Sequence, residues 1–421
     1  MITCAEKTET GSAPILVVAL GPLQASVTLF FDLLPLEVRH LVHVIFAGAP
    51  ELKLHIIEAQ AVVFVRGLVE YKELIAFTKH VGVPMYHYCD DNYIVVGEES
   101  ERYGAAYAFY TPDNVRTVLR DFAGCLLSVP SLVDFYRENS LHSNLSLFPP
   151  IAAFDEYGDA PHDYPSARPF TMAFFGGGDR HRAFVEYIVP AVKLLSKIQA
   201  IDLIAFGVAF GAVDCSAHPN LRVFYPPYEP DYTLAIRHFR HYSPNVMLHS
   251  SSPTRNNAFK NCNNIINGVL VGAAMICSRT EPYLGLDKIS ATLLADDAVE
   301  SWYLAMWQFA NSKKRLQDFR FGAKAYCEGI YSGRQNTVAI EAILRTSQAP
   351  MLAELAKRWC NAVAHTATAT QESESEGARL SRSIEVQSNA LLAGQIEQHH
   401  IRTELHLNAE KLEARLQGGR P

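Results

Sequence analysis

Residues 244–287 read PNVMLHSSSPTRNNAFKNCNNIINGVLVGAAMICSRTEPYLGLD, and the pattern of this stretch indicates the fold class. A polar loop at 250–257 opens a segment with helical spacing. A turn at Gly272, a short apolar run at 273–277 and a second polar loop at 278–283 follow. This order predicts a loop, a helix, a strand and a loop. Because ligands of parallel α/β sheets bind beyond the carboxyl ends of the strands, we expect both polar loops to face a crevice.

The rest of the chain alternates short apolar runs with helical patterns. Runs with the character of buried strands precede residue 150, and the same alternation resumes at residue 171. Alternating strands and helices are typical of parallel sheets with crossover helices. We therefore expect an α/β fold in two similar halves, with a C-terminal helical or coiled-coil tail.

Composition shifts along the chain place the predicted boundaries. A stretch rich in Pro, Asp, Tyr and Gly predicts a linker between the halves, and a low-complexity stretch predicts a flexible linker near the C-terminus. The predicted segments are a disordered lead (1–12), an N-terminal domain (13–154), a linker (155–169), a C-terminal domain (170–346), a helix (347–364), a flexible linker (365–379) and a helical tail (380–416).

Charge and cysteine content narrow the function classes. The net charge is −7, which argues against a general nucleic-acid surface. The eight cysteines form no CxxC pair, so we expect a reduced, cytosolic compartment and neither a disulfide framework nor a metal site. No apolar run approaches the roughly 20 residues of a membrane span. The sequence predicts a soluble protein or one in peripheral contact with a membrane.

Apolar residues in the tail recur at alternating spacings of four and three. Polar residues interrupt this seam, which favours a weakened coiled coil that mediates self-association or partner binding. A single amphipathic helix packed back on the body explains the pattern equally well. The apolar positions are Leu380, Ile384, Leu391, Ile401, Leu405 and Leu412.

A glycine run follows the predicted strand 171–175. Gly176 and Gly177 allow a backbone to approach a ligand closely, and the helix after them presents free N–H groups. Arg180 and His181 add charge suited to a diphosphate. The run matches neither GxGxxG nor a Walker loop, and a plain glycine-rich turn is the alternative.

Asp90 and Asp91 follow another predicted strand and should therefore lie at the crevice. A pair of acids there can act as a base, orient a sugar hydroxyl or bind a metal. The alternative is a helix cap with an acid in the first turn. Arg66 also ends a strand; it either holds a phosphate or carboxylate, or pairs with Asp90 and Asp91.

Asparagines dominate the quoted stretch. Asn256 and Lys260 lie four residues apart, as do Asn263 and Asn267, which places each pair on one face of a helix. Amides are good partners for hydroxyl groups, although a turn-rich loop is the alternative. Tyr283 either stacks on a base or sugar, or anchors a turn. Four histidines without ligand spacing are expected in the core or at the surface: His87, His181, His241 and His249.

The chain resembles GT-B glycosyltransferases of the glycogen-synthase-like superfamily, often called glycosyl transferase group 1. The resemblance covers about residues 14–346 and rests on the twin α/β halves, on FFGGG at 174–178 and on NNIINGVLVGAAMICSRTEPY at 263–283. Gly272 and Ser278 match the family's turn and strand, whereas Ala274 replaces its usual proline. The family's Glu-x7-Glu pair falls at Phe259 and Asn267, and neither residue is an acid. MYHYCDDNYI at 85–94 also resembles an acidic segment of bacterial relatives.

The resemblance implies two Rossmann-like domains facing a cleft, and metal-independent transfer of a hexose from a nucleotide-sugar donor. The donor is a substrate, and no cofactor is implied. The implied acceptor is a glycan, a lipid-linked molecule or a protein. The implied setting is bacterial surface polysaccharide synthesis in the cytoplasm or at the inner face of the membrane. Two alternatives stay open: a catalytically inactive scaffold that acts through its tail, and a sugar-nucleotide epimerase.

The resemblance also distributes the candidate residues over the cleft. Gly176, Gly177, Arg180 and His181 are expected near the diphosphate. Asn256, Lys260, Asn263, Asn267 and Tyr283 are expected near the donor sugar and nucleoside. Gly21, Ser26, Arg66 and Asp91 are expected on the acceptor side, with Asp91 as the candidate catalytic residue. Asp90 is a further candidate substrate-binding residue.

Overall fold

The computed structural model divides the chain into two compact units, Met1–Leu355 and Ala356–Pro421. It describes residues 14–21, 25–99, 104–152, 168–176, 180–208, 211–227, 229–251, 254–347, 354–355, 357–362 and 365. In the second unit, the described residues 357–362 are helical. The predicted lead, most of the interdomain linker, and the tail at 380–416 lie outside the described residues.

The first half of unit one contains a six-stranded parallel sheet in the order β2-β1-β3-β4-β5-β6. Its central strands are almost fully buried, as the continuous apolar runs predict for a sheet covered on both faces. The short last strand was not predicted, because it is only half-buried and lacks an apolar run. The strands are β1 Ile15–Ala19, β2 Val42–Phe46, β3 Ala61–Val65, β4 Met85–Cys89, β5 Gly124–Leu127 and β6 Leu145–Leu147.

Helices connect these strands and cover the sheet. The first begins as an α-helix and continues as a π-helix over Thr28–Asp32. The helices are α1 Ala25–Val27, α2 Leu36–Arg39, α3 Leu52–Glu58, α4 Lys72–Val81, α5 Tyr93–Glu99, α6 Gly104–Tyr107, α7 Pro112–Leu119 and α8 Pro130–Glu138.

The second half contains another six-stranded parallel sheet, in the order β12-β11-β10-β7-β8-β9. The α/β fold with a parallel sheet in each half is therefore confirmed. The strands are β7 Phe170–Phe175, β8 Ile201–Phe206, β9 Leu221–Phe224, β10 Val246–His249, β11 Ala274–Ser278 and β12 Leu293–Ala295.

The helices of the second half include one long run. The segment α9 His181–Ala183 passes through a π-helix, Phe184–Ile188, into α10 Val189–Ser196. The remaining helices are α11 Tyr232–Tyr242, α12 Asn263–Val271, α13 Val299–Ala310, α14 Lys313–Ile330 and α15 Arg334–Thr346.

The segment before α12 differs from the sequence expectation. Residues 255–259 form a 3-10 helix, and the backbone is extended at Lys260. The Asn261 side chain then accepts a hydrogen bond from the Asn263 amide (3.1 Å), which starts a separate helix. The expectation that Asn256 and Lys260 share one helix face was therefore wrong, whereas Asn263 and Asn267 both lie in α12.

Helix α15 follows the second sheet in sequence but packs against the first half. Its Asn336 amide donates to the carbonyl of Pro149 (2.8 Å), and Thr346 lies within 2.9 Å of the Tyr86 hydroxyl. A methyl group added at Gly333 would come within 2.7 Å of Pro35. The two sheets therefore belong to one compact unit, joined at their ends by this helix.

Candidate active site

A cleft of about 530 Å³ lies where the carboxyl ends of the two sheets meet. Its first wall comes from the end of β4 and from α1, α5 and α6. Its second wall comes from the loops after β7, β10 and β11, from the 3-10 segment, and from α11 and α12. The expectation that both polar loops of the quoted stretch face a crevice is confirmed, because Ser251, Thr254, Pro282 and Tyr283 line it.

Eight of the predicted site residues line this cleft: Asp90, Asp91, Arg180, Asn256, Lys260, Asn263, Asn267 and Tyr283. Five others are described but do not line it: Gly21, Ser26, Arg66, Gly176 and His181. Gly177 lies outside the described residues. The ligand contacts assigned to all of them remain predictions.

Asp91 joins the two walls. One of its oxygens contacts Arg66 Nη2 (2.8 Å), and the other receives a hydrogen bond from Asn256 Nδ2 (3.0 Å) and an ion pair from Lys260 Nζ (3.1 Å). Burial alone would raise the pKa of Asp91, but Lys260 and Arg66 outweigh burial and lower it. Asp91 is thus a fully engaged, ionised carboxylate that bridges the halves.

Asp90 has a different environment although it is adjacent in sequence. Its Oδ1 is buried, lies 3.0 Å from Arg66 Nε and accepts no hydrogen bond from the described residues, because that Nε donates its proton to the Tyr93 hydroxyl (2.6 Å). Burial raises the pKa of Asp90; Arg66 and a backbone hydrogen bond oppose the rise, while the neighbouring Asp91 adds to it. Of the two acids, Asp90 is the one whose pKa is raised.

Arg66 pairs with both acids, as one of the two sequence interpretations predicts. Its backbone has a positive φ of 72°, a conformation that non-glycine residues adopt rarely. The buried His87 contacts its carbonyl oxygen (2.6 Å), and the two acids hold its side chain. These contacts stabilise a strained backbone beside the cleft.

The glycine loop after β7 is closely packed. A methyl group added at Gly207 would lie 2.0 Å from the carbonyl oxygen of Gly176, and Gly207 has a positive φ of 73°. Glycine at position 207 lets the loops after β7 and β8 touch through their backbones, and a methyl group at Gly176 would meet the Phe174 ring at 2.5 Å. Arg180 follows this loop at the start of the helical run 181–196, and its guanidinium donates to the Phe175 carbonyl (3.3 Å).

Asparagines of α12 form a hydrogen-bonded wall. The buried Asn267 accepts a hydrogen bond from the Tyr232 hydroxyl (2.6 Å) and lies 3.5 Å from the Asn264 oxygen. Asn264 donates to the Tyr283 hydroxyl (3.1 Å). The wall presents amides and phenols, groups that both donate to and accept from hydroxyls.

His249 is buried, as expected of a core histidine, and it also lines the cleft. Its Nε2 lies 3.2 Å from the Asn264 amide nitrogen and 3.2 Å from the Ser251 hydroxyl, and its ring contacts Tyr283 edge-on. Burial lowers its pKa well below the ordinary value, and Arg180 and Lys260 add to the effect. A neutral imidazole therefore faces the cleft.

Sequence reasoning also missed Tyr93, Tyr107, Tyr232 and Asn264, which line the cleft. For His249 the signal was available, because it is the last residue of β10 and so lies at a carboxyl strand end. Tyr232 gives no such signal, since it begins a helix that reaches the cleft only through the packing of α11 on α12.

Superposition on solved structures recovers the same two-sheet arrangement. Sucrose-phosphate synthase from Thermosynechococcus elongatus aligns with a TM-score of 0.53 at 11% identity, covering 79% of this chain and 98% of that chain. Anabaena HepE, in complex with UDP and glucose, aligns with a TM-score of 0.53 at 11% identity, covering 78% and 99%. The chain has the GT-B fold.

A third GT-B neighbour is a glycosyltransferase from Rickettsia africae ESF-5, with a TM-score of 0.50 at 12% identity over 79% of this chain and 99% of that chain. No protein-family model matches the sequence, and no curated protein sequence matches it. The GT-B assignment therefore comes from the arrangement of strands, helices and cleft.

The described residues contain no group of three or more His, Cys, Asp or Glu side chains able to hold a metal ion. No helix in this part of the chain is long and apolar enough to cross a membrane.

Proposed function

We propose that the protein is a glycosyltransferase that moves a hexose from a nucleotide-sugar donor to a glycan, lipid-linked or protein acceptor. The observation that carries the proposal is Arg180. It lines the interdomain cleft beside the glycine loop, at the start of a long helical run, and has no acidic partner among the described residues. An unpaired guanidinium next to a helix N-terminus attracts an anion such as a diphosphate.

The second wall supports the donor assignment. Its described lining residues include Arg180, Lys260, six asparagines and two tyrosines, but no carboxylate. A diphosphate meets no like charge on this wall, and the amides suit sugar and ribose hydroxyls. In the proposal Gly176, Gly177, Arg180 and His181 hold the diphosphate. Asn256, Lys260, Asn263, Asn267 and Tyr283 hold the sugar and nucleoside.

The leaving diphosphate gains negative charge as the sugar departs. In the proposal, Arg180 and backbone N–H groups at the helix start stabilise that charge, without a resident metal. The acceptor enters along the first wall, near Gly21, Ser26, Arg66 and the acidic pair. The proposed setting is synthesis of a bacterial surface polysaccharide in the cytoplasm or at the inner face of the membrane, with residues 380–416 mediating self-association.

A binding panel followed by turnover tests the proposal. UDP-, GDP-, dTDP- and ADP-sugars are titrated into the full chain by calorimetry, and any sugar nucleotide that binds is assayed for transfer to water and to a set of methyl glycosides. We expect one nucleotide class to bind and to be turned over. Absence of binding across the panel would contradict the proposed function.

A catalytically inactive GT-B module is the second candidate. The observation in its favour is that both oxygens of Asp91 are engaged, while the positions of the family's two glutamates hold Phe259 and Asn267. Deleting residues 365–421 separates the candidates: an enzyme keeps its turnover of a soluble acceptor, whereas a scaffold loses its partner complex and shows no turnover in either form.

A further inference from the structure

We propose that the second half of the protein carries a docking surface for a bilayer rich in anionic phospholipid, formed by α10, α13 and the start of α14. This surface, the helix-end surface, consists of residues 194–198 and 304–315. It goes beyond the proposed transfer reaction, and vesicle binding without a sugar nucleotide tests it separately.

The ends of three helices meet at the helix-end surface. The helical run 181–196 and α13 start close together, because Asp297, which precedes α13, interacts electrostatically with Arg182 and Glu186. The two helices pack along each other and bury their inner residues in one core. Since they start at the same side and have similar lengths, they also end near each other, where α14 begins.

Large apolar side chains on this surface face the solvent. Leu194 and Ile198 lie one helical turn apart and are 41% and 60% exposed. Leu304 and Trp307 lie one turn apart on α13 and are 53% and 42% exposed. The residues of the same helices that face the sheet are buried, so these four side chains point away from the core. Grouped apolar side chains of this kind mark surfaces that bind a partner or a membrane.

Basic residues accompany the apolar side chains. Lys193 is not counted, because Asp214 interacts with it. Segment 187–201 contains no acid, and segment 301–327 contains only Asp318. An excess of positive charge at one place in a chain of net charge −7 suits an anionic partner. Four cations are exposed and form no ion pair with a described residue: Lys197, Lys313, Lys314 and Arg315.

The stability of α14 does not explain three of these cations. Lys313, Lys314 and Arg315 occupy its first turn, after the Ser312 cap, and no acid is present there. The N-terminus of a helix carries a partial positive charge, so cations in the first turn are unfavourable. The C-terminus of α13 is separated from Lys313 by two residues and offsets part of this cost.

The combination of cations and apolar side chains identifies the partner. An anionic bilayer offers phosphates to the cations and hydrocarbon to the aliphatic side chains, and tryptophan favours the boundary between these layers. A nucleic acid would pair with the cations but would offer no apolar phase to Leu194, Ile198 and Leu304. A second copy of this chain, which is acidic overall, is the alternative that the test separates.

Co-sedimentation of the full chain with vesicles measures the binding. Vesicles of phosphatidylcholine are compared with vesicles that also contain phosphatidylglycerol, and we expect binding to the anionic vesicles only, weakened by salt. Combining Lys313→Gln with Lys314→Gln should lower the partition coefficient by about 10–30-fold. The matched control combines Lys72→Gln with Lys288→Gln, which removes two exposed lysines elsewhere and should bind as wild type.

Trp307 gives a readout that does not depend on the lysine variants. The chain has three tryptophans, of which Trp302 is fully buried. In Trp359→Ala the change in emission on adding anionic vesicles therefore reports Trp307, and we expect a shift to shorter wavelength. Trp307→Ala should weaken vesicle binding by about three- to tenfold. Trp359→Ala, at a position 45% exposed, should bind as wild type.

Equal binding of wild type and the variant changed at Lys313 and Lys314 would overturn the proposal. Equal binding to neutral and anionic vesicles would do so too, as would an unchanged Trp307 emission. Self-association that this lysine variant abolishes, without any vesicle binding, would replace the bilayer with a second copy. Thermal melting checks that the variant is folded, and we expect it to be as stable as wild type. The donor takes no part in these measurements, so the proposed function is judged by its own binding panel.

Discussion

Replacing Asp91 by Asn should destabilise the protein because Asp91 is shared by groups from both halves. The variant keeps the shape of the side chain but removes a charge whose partners lie at 2.8 Å (Arg66) and 3.1 Å (Lys260). Breaking a buried ion pair costs about 3–5 kcal/mol. In the variant Arg66 remains paired with Asp90, and the Lys260 side chain is 42% exposed, so we expect a smaller cost of about 2–3 kcal/mol.

Chemical denaturation and thermal melting measure this effect. A loss of 2–3 kcal/mol should lower Tm by about 3–4 °C, because unfolding the unit Met1–Leu355 gains about 2.1 cal/mol/K of entropy per residue. Asp121→Asn is the control, because its pair with Lys79 is exposed and should contribute about 0–1 kcal/mol. Combining Asp91→Asn with Lys260→Met should cost less than the sum of the single changes. Equal effects of Asp91→Asn and Asp121→Asn would refute the bridging role.

Three further predictions concern stability. Gly207→Ala should destabilise the protein by about 1–3 kcal/mol more than Gly211→Ala. Both glycines have a positive φ, but of these two positions only Gly207 would bring the new methyl group against a backbone oxygen (2.0 Å). Equal melting temperatures of the two variants would contradict this. Asn267→Leu should lower the free energy of unfolding by about 1–3 kcal/mol because it removes the oxygen that accepts the hydrogen bond of the Tyr232 hydroxyl. Adding Tyr232→Phe should recover part of this stability. If it recovers none, the Tyr232–Asn267 hydrogen bond does not contribute as described. Folding lowers the pKa of Asp91, so ionised Asp91 stabilises the fold fully at pH values above its pKa in the unfolded chain. That stabilisation is lost as the pH falls through the lower pKa of the folded state. The difference in unfolding free energy between wild type and Asp91→Asn should therefore shrink from pH 7 to pH 3, and a constant difference would contradict the assignment.

The sequence predicts the sheets well because their strands are continuous apolar runs. Ile15–Ala19 and Ala61–Val65 are buried along their whole length, so burial on both faces is visible in composition alone. The half-buried Leu145–Leu147 at the sheet edge carries no such signal and was missed. The packing of α15 on the first half could not be predicted either, because it depends on contacts between residues far apart in sequence, such as Asn336 and Pro149.

Ligands of parallel sheets bind beyond the carboxyl ends of the strands, and this rule correctly placed Asp90, Asp91 and Tyr283 at the cleft. It could not separate the two acids, since their difference arises from the directions of the Arg66 protons and from contacts made by the opposite half. Residue spacing also failed at Lys260, where the backbone is extended and a turn at Asn261 separates the 3-10 segment from α12.

Binding of a nucleoside diphosphate at Arg180 is the most direct test of the donor site. The nucleotide that binds in the panel is titrated by calorimetry into wild type, Arg180→Gln and Arg182→Gln. Arg182 is 83% exposed and pairs with Glu186 on the same helical run, so it controls for a general loss of positive charge. We expect Arg180→Gln to weaken binding by about 10–150-fold, the equivalent of a charged hydrogen bond of 1.5–3 kcal/mol, and Arg182→Gln to bind as wild type. Equal affinities for wild type and Arg180→Gln would contradict the placement of the donor diphosphate in this cleft.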